Sequence, residues 1–101
     1  MCDRVVTMDP QAERLDHLCR ALADGSRRRI LADLAREPGL TTAQLAARLP
    51  RMTRWAVMKH LASLRDAGLI QTLPEGRRRR HYRVERGLQP LHDWLAGGPA
   101  Q

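Results

Sequence analysis

Only three aromatic side chains, Trp55, Tyr82 and Trp94, occur in 101 residues, and phenylalanine is absent. Aromatic rings are the largest apolar units a core can use. A chain of this length has room for one modest core. Here that core must be assembled from Leu, Ala, Val and Ile, which favours packed helices.

Apolar spacing agrees. Leu15, Leu18 and Leu22 recur at intervals of three and four, predicting a helix over about residues 10–23, with Asp9 as its cap and Pro10 in its first turn. Asp24-Gly25-Ser26 breaks the pattern, and a second helix follows over roughly 26–36 on Ile30, Leu31 and Leu34. Pro38-Gly39 ends it. A short third helix, about 42–48, is capped by Thr41 or Thr42 and turns Leu45 and Leu49 inward. Pro50 stops it, and a fourth helix starts at Thr53 and runs to about Ala67. Gly68 stands where a left-handed cap wants glycine. Residues 69–73 read as a strand, Pro74-Glu75-Gly76 as a turn and 79–84 as the return strand. A last helix covers about 88–95. The order is helix, helix, helix, helix, strand, strand, helix. This is a mainly α fold with a small β-hairpin, a winged helix-turn-helix, expected over residues 10–96 between flexible tails at 1–9 and 97–101.

Charge narrows the function. The chain carries a formal +7 at pH 7. Residues 1–50 are almost balanced, whereas 51–101 hold ten basic and four acidic side chains. A surplus confined to one half points to a polyanionic partner. All the basic residues but Lys59 are arginine, the side chain suited to bidentate phosphate and guanine contacts, although GC-rich coding sequence would also favour it. Mean hydropathy is −0.50 and no apolar run approaches the ~18–20 residues of a membrane span, so no membrane partner is expected. The first ten residues lack the apolar stretch of a signal peptide. Two cysteines are too few for a disulfide scaffold, and a cytoplasmic location is expected. No glycine-rich phosphate loop, Ser-His-Asp set or carboxylate–histidine cluster is present, so an enzyme is not expected.

The fourth helix divides by face. At 100° per residue, Thr53, Ala56, Val57, His60, Leu61, Leu64 and Ala67 share one arc of about 140°. Arg54, Trp55, Met58, Lys59, Ala62, Arg65 and Asp66 fall opposite. The first set can be buried, with His60 a hydrogen-bonded structural histidine. The second is basic and exposes a Trp and a Met, which an ordinary solvated face rarely does. Thr53 is the expected N-cap, leaving amide donors for a phosphate. The second basic feature is Arg77-Arg78-Arg79-Arg80, followed by His81 and Arg83, at the hairpin. So many positive charges at a hairpin tip favour a nearby polyanion.

The stretches Ala21-Leu22-Ala23-Asp24-Gly25-Ser26-Arg27-Arg28-Arg29-Ile30-Leu31, Met52-Thr53-Arg54-Trp55-Ala56-Val57-Met58-Lys59-His60-Leu61 with Leu64-Arg65-Asp66-Ala67-Gly68-Leu69-Ile70, and Gly76-Arg77-Arg78-Arg79-Arg80-His81-Tyr82 resemble the ArsR-type winged-helix repressors over about residues 12–95. The resemblance implies a homodimeric repressor that binds double-stranded DNA. It implies dimerisation through the first and last helices, with Leu15, Leu18, Leu22, Leu88, Leu91, Trp94 and Leu95 as candidates. It also implies reading by Arg54, Trp55, Met58 and Lys59, with Thr42 and Gln44 on the backbone. Arg51, Thr53, Arg65, Arg77, Arg78, Arg79 and Arg80 complete the candidate DNA-contact set. The chain departs from the metal-sensing members. Its third helix has no cysteine, and the last helix offers only the adjacent His92 and Asp93. A zinc site wants three or four ligands, so no metal and no cofactor are expected, and no small-molecule inducer is identifiable. Cys19 reads as a small buried hydrophobe. The alternatives are a metal- or redox-gated repressor of the same scaffold using Cys2, His17 and Cys19, and a protein-interaction winged helix that binds no DNA.

Overall fold

The computed structural model describes residues 9–97. Helix α1 (Pro10–Leu22) is capped by Asp9, whose carboxylate accepts from the Gln11 N–H. Asp9 is thus the cap that the sequence predicts; of the expected tails, residues 1–8 and 98–101 lie outside the described residues. Asp24 turns the chain into α2 (Gly25–Arg36) by accepting from the Ser26 and Arg27 amides. The Arg27 N–H also holds the Asp24 carboxyl below its ordinary range. Thr41 caps α3 (Thr42–Ala47) in a reciprocal box: its hydroxyl accepts from Gln44 N, and the Gln44 side-chain oxygen accepts from Thr41 N. Thr41→Ala is expected to cost about 1 kcal/mol of stability in urea denaturation; an unchanged midpoint would contradict the role.

Helix α4 (Arg54–Asp66) begins under the Thr53 cap and ends at Gly68, whose φ of +76° is the left-handed conformation expected there. Two strands follow, which we label β2 (Ile70–Glu75) and β3 (Arg78–Arg83). The turn shifts relative to the sequence reading. Pro74 and Glu75 belong to β2, and Gly76-Arg77 alone form the loop. Proline is tolerated because β2 lies at the edge of the sheet. Strand β1 (Leu40–Thr41) was not visible in the sequence; two residues are too short for any alternation, and they pair with His81 and Arg80. The expected last helix is a 3₁₀ turn (Glu85–Leu88) followed by α5 (Gln89–Leu95), which packs on α1.

The core is built from aliphatic residues, as the palette requires. Leu18, Ile30, Leu34, Leu45, Val57, Leu61, Leu64 and Leu69 are fully buried. Neither tryptophan takes part: Trp55 is 67% and Trp94 52% exposed. α3 and α4 pack together, with the β2–β3 hairpin projecting beside them.

Candidate nucleic-acid interface

Helix α4 presents the two expected faces. Val57, Leu61 and Leu64 are buried, while Arg54, Trp55, Met58, Lys59 and Arg65 are exposed. His60 is half-buried, and its Nδ1 accepts from Arg27 at 3.2 Å. Arginine can only donate, so the imidazole proton lies on Nε2. The same guanidinium donates to the carbonyls of Ala21 and Arg20, fastening the end of α1 to α4. Trp55 lies one turn before Lys59, whose ammonium stands 4.5 Å from the indole centroid. The ring thus holds a cation against the outer face. Arg51 and Thr53 are exposed at the start of this surface.

The wing arginines divide. Arg77, Arg78 and Arg79 are exposed and form no ion pair with the described residues. Arg80 does not share their freedom: its Nε is 2.5 Å from Glu75 and its Nη1 donates to the Gly39 carbonyl at 2.9 Å. Beside β1, Arg80 fastens the sheet, so unlike Arg77–Arg79 its guanidinium is already engaged within the fold. The Gln44 carbonyl is likewise committed to the α3 cap.

His81 also departs from the sequence reading, which counted it with the basic run. It is 1% exposed on the central strand, between Leu40 and Thr72 in register. Its Nε2 lies 2.8 Å from Thr42 Oγ1 and its Nδ1 2.9 Å from Thr72 Oγ1. The Arg65 Nη1 donates to that same Thr72 oxygen at 3.2 Å. Burial, with help from nearby Arg65 and Arg79, pushes the imidazole down from 6.5 to about 4. It is therefore neutral at pH 7. Because the folded value lies below the unfolded one, the unfolded chain takes up the proton first as pH falls. The contribution to stability is complete above about pH 6.5 and declines from there toward pH 4. An NMR titration of the His81 ring should have its midpoint near 4; a midpoint near 6.5 would contradict the buried, neutral state.

Of the expected dimer residues, Leu15, Leu22, Leu88 and Leu91 are half-buried, and Trp94 and Leu95 are exposed. Leu18 is 1% exposed, inside the core of the chain itself. Cys19 is exposed and not buried, because it falls on the side of α1 away from Leu18. Cys2 lies outside the described residues. No group of three or more His, Cys, Asp or Glu placed to hold a metal occurs among the described residues. No helix among them is long and apolar enough to cross a membrane. An open groove of about 750 Å³ lies between α1, the end of α4 and α5. Seven-residue α5 is too short to cover thirteen-residue α1.

These features define a winged helix-turn-helix regulator: a buried-inside, basic-outside α4 packed on α3, with a basic hairpin at its flank. A family described as "Helix-turn-helix domain" matches residues 22–72. The uncharacterized HTH-type transcriptional regulator YuzN of Bacillus subtilis is 39% identical over 88 residues, covering 81% of this chain and 91% of that protein. The HTH-type transcriptional regulator Rv2034 of Mycobacterium tuberculosis is 42% identical over 76 residues, covering 75% of this chain and 69% of that protein. The crystal structure of an ArsR family transcriptional regulator superposes with a TM-score of 0.79 at 34% identity, over 91% of each chain. The chain belongs to the ArsR family of helix-turn-helix transcriptional regulators.

Proposed function

We propose that the protein is a homodimeric repressor that reads a specific duplex sequence through the outer face of α4 and holds the DNA backbone with its wing. One observation carries the reading. Arg54, Trp55, Met58 and Lys59 stand together in solvent over the first two turns of α4, beside three arginines with no carboxylate partner among the described residues. A recognition helix reads base edges with its N-terminal turns. Arg54 suits guanine and Met58 a thymine methyl. Thr53, Arg51 and Thr42 reach backbone phosphates, and the amides of the first α4 turn beyond the Thr53 cap add donors. Arg77, Arg78 and Arg79 neutralise further phosphates.

The second copy covers the apolar ridge of α1, the 3₁₀ turn and α5: Leu15, Leu22, Leu88, Leu91, Trp94 and Leu95. Exposed Trp94 and Leu95 support this assignment. A two-fold dimer reads two half-sites about one helical turn apart, or a multiple of it. On this reading the protein acts in the cytoplasm, and needs no cofactor to bind DNA. Arg54→Ala is expected to weaken binding to a duplex selected from a random pool by about 1–3 kcal/mol and to relax specificity at one base pair per half-site. Equal gel-shift titrations for wild type and variant would discard the assignment of Arg54.

A further inference from the structure

The geometry points to His81 as the positioning residue of the reading head: through the hydroxyls of Thr42 and Thr72 it sets the angle between the wing and the α3–α4 pair. The inference rests on the duplex-binding reading above.

His81 is the one place where hydrogen bonds from the wing, α3 and, through Thr72, α4 converge among the described residues. Thr42 opens α3, Thr72 lies on the edge strand of the wing, and Arg65 reaches Thr72 from α4. Burial keeps the ring neutral, so one nitrogen donates and the other accepts. Both nitrogens have a hydroxyl partner, and a ring rotation breaks both bonds together. A leucine here would fill the space in keeping with the rest of this core. What the imidazole adds is direction, since hydrogen bonds fix orientation while contributing modest net stability.

Position makes that direction matter. Thr42, Met58, Leu61, Arg65, Arg79 and His81 surround one hollow of about 310 Å³ between α4 and the wing. His81 is therefore the floor of the gap between the two basic surfaces. The wing tip at Gly76-Arg77 lies four to five residues beyond Thr72, roughly 15 Å along the strand. A 10° change at this pivot moves the arginines by about 2.5 Å, enough to take a guanidinium out of hydrogen-bond reach of a phosphate.

The test uses Thr72→Val, which keeps the side chain's shape and removes no charge, with Arg65→Gln beside it to separate the release of Arg65 from the loss of the His81 bond. Affinity for the selected duplex should fall roughly tenfold, and the dependence of log K on log salt should become shallower, because arginines still present no longer meet phosphates. Both are read at 25 °C with the variant shown by circular dichroism to be fully folded. Thr72→Ser should restore both. A bond that only stabilised the fold would lower Tm and leave affinity and salt slope untouched. Wild-type affinity and slope in folded Thr72→Val, beside a wild type that binds duplex, would overturn the positioning role alone. A wild type that binds no duplex would overturn the proposed function and this inference together.

Discussion

Gly87→Ala is expected to destabilise the protein by about 3 kcal/mol, more than any single DNA-facing substitution would. A methyl group at position 87 would overlap the Gly68 carbonyl oxygen and stand 2.9 Å from its carbonyl carbon. Both are backbone atoms, so no side chain can swing aside. Gly68 is also fixed from the other direction, because its N–H donates to the Arg65 carbonyl and closes the end of α4. Two further bonds lock the junction: Leu69 N to the Leu64 carbonyl, and Val84 N to the Leu69 carbonyl. To admit the methyl, the 3₁₀ turn must move away from α4, taking α5 with it. The variant should therefore lose urea stability and also weaken the proposed dimer, measured by light scattering after size exclusion. A urea midpoint within experimental error of wild type would show that the two segments do not touch as described.

Replacing Arg77, Arg78 and Arg79 together by alanine should abolish most non-specific duplex binding while leaving the fold intact. All three are exposed, and none pairs with a carboxylate among the described residues. Each phosphate neutralised contributes about 0.9 to the slope of log K against log salt. In a dimer the slope should become shallower by roughly 2–5 units, and affinity at moderate salt should fall on the order of 100-fold. Arg80 is left in place because its bonds to Glu75 and Gly39 hold the sheet together. Arg80→Ala should lower stability as well as binding, a combination the triple variant should not show. An unchanged salt slope in the triple variant would remove the wing from the interface.

Helical elements were legible in the sequence because their signals are local. Asp9, Thr53 and Gly68 mark helix ends by chemistry that depends only on a few neighbouring residues. The inward and outward faces of α4 follow from periodicity, and burial of Val57, Leu61 and Leu64 agrees. What stayed hidden depends on contacts between distant segments. Strand β1 exists only because Leu40 and Thr41 meet β3 some forty residues later. Arg80 looks identical to Arg79 in sequence, and only the approach of Gly39 and Glu75 separates a fastener from a free cation. His81 sits beside four arginines in the chain yet is buried and neutral in the fold, since β3 is the central strand and its partners come from α3 and β2. Cys19 was misplaced for a simpler reason: small apolar character does not say which side of α1 a residue occupies.

The central claim is that the outer face of α4 and the wing tip meet one duplex at the same time. Backbone amide shifts of nitrogen-15-labelled protein, followed as a selected palindromic duplex is added, test it directly. The account predicts that the largest changes fall on Arg54, Trp55, Met58 and Lys59 and on Arg77, Arg78 and Arg79, saturating at one duplex per dimer. Changes confined to α1 and α5, or to the wing with α4 unmoved, would contradict it.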